Sequence, residues 1–229
     1  MSEAKRWWIV VLFGTAMAWM ESATVAYLRL LVGRVNPYQA APLPPHPLLG
    51  ATELVREIAT MVMLFAVGWL AGRDWRSRLS YSLIAFGVWD ILYYVFLAVI
   101  VGWPKSIFDW DVLFLIPLPW WGPVIAPVII ALLMIAGGTM VTQFPGRPWP
   151  RRSSIMVGLI GIAVALVVFM QPAIRALPGG EEALRNALPA NFNWPWFAVG
   201  CTMMSATIAD LLVQRKTRAK VAVGKTVSQ

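Results

Sequence analysis

An all-α, polytopic bundle of six membrane-spanning helices is the fold class this sequence predicts, and three observations carry it. Of 229 residues, 59% are hydrophobic and 13% charged, against about 25% charged in an ordinary soluble chain. Six apolar runs approach the roughly 20 residues needed to cross a bilayer core. The breaks between them are polar or rich in proline and glycine, where a helix must end.

The spans fall at about 7–32, 50–71, 79–102, 123–143, 155–177 and 195–214. Together they form a single domain over 1–214, followed by a basic tail at 215–229. The first opens with "KRWWIVVLFGTAMA", which has the charged front, apolar middle and small-residue end of a cleavable signal peptide. The apolar run continues through "TVAYLRLLV" and is long enough to span, so a retained first helix is expected. "GRVNPYQAAPLPPHP" separates spans 1 and 2, and "GRDWRSR" separates spans 2 and 3. "WPKSIFDWDVLFLIPLPWW" follows span 3. It is too apolar for a solvated loop and too broken at Pro117 and Pro119 for one helix. It is expected to form an interfacial or partly re-entrant cap with Trp120 and Trp121 at headgroup level. "PGRPWPRRSS" and "PGGEEALRNALPANFNWP" separate the last three spans. The terminal "QRKTRAKVAVGKTVSQ" is expected to be a solvated, disordered tail able to attract anionic lipid.

Basic residues set the expected orientation. One side of the six-span arrangement holds thirteen Lys and Arg against three acids, and the other holds six against eight, which together give the net charge of +8. The positive-inside rule then places both termini in the cytoplasm. The basic surplus is accounted for by topology, so no nucleic-acid partner is expected.

Carboxylates inside the spans are the functional signal. Glu21 falls late in span 1, Glu53, Arg56 and Glu57 early in span 2, and Asp90 near the middle of span 3. The spacing i, i+3, i+4 puts Glu53, Arg56 and Glu57 on one helical face. Tyr93 and Tyr94 share the face of Asp90, and Gly87 one turn back leaves room for a neighbouring helix. A charged side chain at the bilayer centre costs about 2.5–3.5 kcal/mol on insertion scales. These groups must therefore face the interior and be neutral, paired or bound to a cation. The topology brings them to one depth in the outer half. Arg56 can bridge Glu53 or Glu57, and Arg29, Arg34 or Arg175 can approach Glu21. Asp109 and Asp111, in "DWD", can offer oxygens to a hard cation. His46 is a lone loop histidine between prolines, a surface position unless it joins the acids as a ligand. One histidine and one cysteine, Cys201, leave no bis-histidine haem site and no Cys-based zinc site within the chain.

The stretches "EIATMVMLFAVGWLAG", "FGVWDILYY" and "DWDVLFLIPLPWWGPV" resemble an uncharacterised group of small bacterial multi-span membrane proteins over roughly the first four spans. The resemblance implies a bacterial inner membrane and brings no activity. Three functional readings compete. In the first, Glu21, Glu53, Glu57 and Asp90 bind or relay a proton or a hard cation such as Mg²⁺, Ca²⁺ or Mn²⁺, with transport as one use. Arg56, Tyr93, Tyr94 and Asp111 would complete that pocket. In the second, Asp90 or Glu57 is the catalytic general acid of an intramembrane enzyme acting on a lipid or isoprenoid. In the third, the chain is an accessory subunit or assembly factor, a homo-oligomer or part of a larger membrane complex.

Overall fold

The structure, a computed structural model, describes residues 1–39, 47–144, 146, 148–185 and 187–227, with the backbone alone described at 47–49, 181, 185 and 218–227. It is an all-α bundle with one small sheet. The long helices are α1 (Glu3–Leu31), α2 (Pro47–Ala71), α3 (Trp75–Val101), α4 (Ile125–Gln143), α5 (Arg152–Ala176) and α7 (Trp194–Val227). A six-residue α6 (Gly180–Arg185) lies between the last two. Among the described residues six helices are long and apolar enough to cross a membrane, and the protein is an integral, multi-pass membrane protein.

Local chemistry fixes the helix ends. Asp74 caps α3 by accepting from the Ser77 N–H at 3.0 Å, while the Ser77 hydroxyl accepts from the Asp74 N–H at 3.1 Å. This reciprocal pair turns "GRDWRSR" into a tight connection. Gly102, at φ 68°, closes the other end of α3 in the left-handed conformation that glycine tolerates. The basic tail differs from expectation, because α7 runs on as helix to Val227. Its Gln, Lys, Arg and Ala residues are good helix formers, with no proline to stop them.

α3 is the axis of the molecule, packed on α1, α2 and α4, whereas α5 packs on α7 and on the sheet. Close approach of α3 and α4 depends on glycine. A Cβ on Gly87 would lie 2.6 Å from the Ala131 carbonyl oxygen, and one on Gly138 would lie 2.6 Å from that of Ser80. Gly87 thus makes the room for a neighbour that the sequence predicts, and the neighbour is α4.

The connection after α3 is a β-hairpin. Strands β1 (Trp110–Phe114) and β2 (Trp120–Pro123) pair antiparallel, with Asp111 opposite Gly122, Val112 opposite Trp121, and an irregularity between Val112 and Phe114. Polar backbone in an apolar setting must find partners, and pairing the two strands supplies them. Trp121 is buried and Trp120 is half-buried within the protein. Trp120 stacks on Phe169 of α5 at 6.4 Å, and Trp121 meets Tyr38 edge-on at 6.2 Å. β2 comes so close to α5 that a Cβ on Gly122 would lie 2.8 Å from the Phe169 ring.

Candidate functional site: an amphipathic cavity beside Asp90

The candidate site begins with the acidic face of α2. Arg56 lies one turn from Glu53 and pairs with it at 2.8 Å, and the same guanidinium forms an ion pair with Glu21 of α1. Thr60, one further turn along that face, donates to Glu21 at 3.1 Å. Glu21 is buried at 8% exposure, so its charge is matched by a cation and a hydroxyl rather than by water. Glu57 accepts from the Leu115 N–H at 3.1 Å and so ties α2 to the hairpin.

The second pair joins α1 to the hairpin. Arg29 donates to Asp111 at 2.8 Å, and Asp111 is 2% exposed. The Val112 N–H reaches the same Asp111 oxygen at 2.9 Å. The Arg29 guanidinium also covers the Trp103 ring at 4.2 Å and donates to the Val35 carbonyl at 3.2 Å. Burial pushes the Asp111 carboxyl up from its ordinary value, while Arg29 and the Val112 N–H act in the opposite direction. Arg29 therefore serves Asp111 and not Glu21. Asp109 is occupied separately, accepting from the Lys105 N–H at 2.7 Å and the Ser106 N–H at 3.1 Å. The two acids of "DWD" thus do not face a common ion.

Asp90 belongs to neither set of ion pairs. It is 7% exposed, and its Oδ2 is buried with no hydrogen-bond partner in the protein. It faces a cavity of about 540 Å³ that Glu21, Arg56, Glu57, Thr60, Tyr93, Tyr94 and Asp111 also line. That volume lies within the roughly 300–1,000 Å³ typical of small-molecule sites. Glu21 of α1, Glu57 of α2 and Asp90 of α3 thus line one cavity. Glu53 backs Arg56 without lining it. Among the described residues no three His, Cys, Asp or Glu side chains come together as a metal-binding group. The expected ligand set of Glu21, Glu53, Glu57 and Asp90 is not assembled, because Arg56 takes up two of its members. His46 lies outside the described residues.

Beyond this polar end the cavity is apolar. Trp89, Phe114 and Trp120 also line it, with the Phe114 ring 6.5 Å from Trp89 and 5.1 Å from Trp120. It then continues along Leu83 of α3, Met134 of α4, Leu166 of α5 and Leu211 of α7. Ser80 and Asp90 both line it, ten residues apart on α3, which at 1.5 Å per residue is a run of about 15 Å. Leu79 of α3 and Leu159 and Ile162 of α5 line the cavity and are exposed, at 40%, 59% and 44%. The cavity is therefore an open cleft with α3 and α5 on opposite sides.

Several lining groups escaped the sequence reading. Thr60 had a usable signal, since it lies four residues from Arg56 on the same face. Phe114, Trp120 and the contributions of α5 and α7 had none, because they reach the site only through tertiary packing. Comparisons of the chain with protein-family models, curated proteins and solved structures find no match.

Proposed function

We propose that the protein binds an amphiphilic, lipid-class molecule within the membrane, with the molecule's polar group at Asp90 and its chain along α3, α4, α5 and α7. One observation carries this reading. A single cavity is lined at one end by Glu21, Arg56, Glu57, Asp90 and Asp111 and elsewhere by almost purely apolar walls. An ion would leave the apolar length of that cavity unused, and a purely apolar guest would lie against the charged groups of the polar end without pairing any of them. The exposed Leu79, Leu159 and Ile162 give a route of entry from the bilayer rather than from water. The basic residue distribution supports cytosolic termini, which puts the polar end toward the outer leaflet, and the resemblance noted above supports a bacterial inner membrane.

The test is native mass spectrometry of the full chain released from its own membrane. Wild type is expected to carry a bound amphiphile. Gly137→Trp is expected to lose it, because Gly137 lines the cavity and a Cβ there meets nothing closer than Ile208 at 3.9 Å. Equal lipid retention by wild type and a folded Gly137→Trp variant would contradict the reading.

A catalytic reading of the same site draws on the rings of Trp89, Phe114 and Trp120, which line the same cavity as Asp90. Aromatic faces stabilise positive charge, which suits a general acid acting on an isoprenoid. Turnover of an isoprenoid in reconstituted vesicles, abolished by Asp90→Asn with binding retained, would support it. Binding without any turnover would reject it.

A further inference from the structure

A second pocket, of about 620 Å³, lies where the starts of α3 and α5 adjoin α7, and its wall includes Trp75, Arg76, Trp149, Arg151, Arg152 and Gln214. Trp149, Pro150 and Ile155 line both this pocket and the long cavity, so the two are continuous along that wall. Local contacts fix the basic groups. The Trp75 and Trp149 rings meet edge-on at 4.8 Å, and the Arg76 guanidinium lies 5.6 Å from the first ring and 5.4 Å from the second. Gln214 of α7 donates to the Trp149 carbonyl at 3.0 Å, and the Arg151 N–H donates to Asp210 at 2.6 Å. Asp210 also lies 3.6 Å from Arg151 Nε and so answers that charge. Arg76 and Arg152 are exposed, and among the described residues neither has an ion-pair partner. Among those residues no acid lines the pocket, which leaves two unmatched cations on its wall.

We propose that this pocket binds the phosphate head group of an anionic phospholipid from the cytosolic leaflet, with one acyl chain at the adjoining mouth of the cleft against Leu79, Ile155 and Leu159. Charge decides the head group. Guanidiniums that are accessible and unpaired suit phosphate oxygens, and basic pockets between helices on the cytosolic side are where anionic heads dock. Continuity decides the source of the phosphate. Leu79 and Leu159 lie four and seven residues beyond the starts of α3 and α5, which at 1.5 Å per residue is about 6 and 10 Å. Apolar wall therefore begins within one lipid's length of the arginines, and a soluble phosphate would leave it unused. Trp75, 57% exposed beside Arg76, suits headgroup depth. The site draws on none of the groups at the Asp90 end and does not depend on what occupies that end.

The experiment adds equal amounts of dioleoylphosphatidylglycerol and dioleoylphosphatidylcholine, which share their chains and differ in head charge, to delipidated full-length protein in a non-ionic detergent. Bound lipid is read by native mass spectrometry. The anionic lipid is expected to exceed the zwitterionic one by about fivefold, the effect of one basic group near a membrane surface. Arg76→Gln combined with Arg152→Gln is expected to abolish that preference. Arg215→Gln combined with Lys216→Gln removes the same charge from exposed positions of α7 that do not line the pocket, and is expected to keep it. Equal binding of the two lipids, or equal loss of preference in the two double variants, would overturn the proposal. Glycerol 3-phosphate in excess is expected to leave the lipid bound, and its displacing the lipid would assign the pocket to a soluble phosphate instead. The two readings fail separately, because the amphiphile at the Asp90 end is tested by Gly137→Trp and the anionic preference by the arginine pair.

Discussion

Asp90 and Asp111 are both carboxylates removed from water, at 7% and 2% exposure, yet their surroundings give them opposite roles. Asp111 is held by Arg29 and a backbone N–H, so it stabilises the fold only while its partner remains. Removing one member of a buried pair strands the other, at about 3–5 kcal/mol, whereas replacing both with apolar side chains is often neutral. Arg29→Met and Asp111→Leu are accordingly expected each to lower the unfolding midpoint in detergent sharply, and the double variant to recover most of the loss. Independent, additive losses would show that the pair is not the connection described. Asp90→Leu is expected to leave the midpoint unchanged or raised, because its Oδ2 has no protein partner to lose. A loss equal to that of Asp111→Leu would contradict this. At this scale the sequence made Glu21, Asp90 and the Glu53–Arg56 pair legible, since charges inside apolar runs declare themselves. It could not show that Arg29 chooses Asp111, 82 positions away, over Glu21.

Between α3 and α4 the packing is set by backbone contact at glycine, and two adjacent residues of α4 make this testable. A Cβ at Gly138 would press on the Ser80 carbonyl oxygen at 2.6 Å, while one at Gly137 meets only Ile208 at 3.9 Å. Gly138→Leu is expected to force the helices apart, at about 1–3 kcal/mol or more for an overpacked contact. Gly137→Leu is expected to fold normally and only reduce the cavity. Chemical unfolding monitored by tryptophan fluorescence separates the two, and equal stability of both variants would refute the close approach. The six spans were legible because length and hydropathy determine them. The hairpin was not. Its strands are four and five residues long, interrupted by Pro117 and Pro119, and each is defined by the other rather than by its own pattern. Trp120 and Trp121 read as interfacial anchors by composition, and their contacts with Phe169 and Tyr38 come only from tertiary packing.

The molecule as a whole divides into a group of α1, α2, α3 and α4 and a pair of α5 and α7, joined by contact of α4 with α7 and of β2 with α5. The cavity occupies the junction, with charged groups of α1 and α2 at one end and leucine, isoleucine and methionine beyond. That division is not written in any one segment. Each of the six spans reads as an equivalent apolar run, and only the glycine contacts and ion pairs decide which neighbours close up and which leave a cleft. The central claim is that this cleft admits a lipid-class molecule whose polar end meets Asp90. The most direct measurement is an experimental density map of the full chain in lipid nanodiscs. It is expected to show one elongated density between α3 and α5, its polar end within hydrogen-bonding distance of Asp90. A cleft closed by direct packing of α3 on α5, with Asp90 bonded to another protein group, would contradict the account.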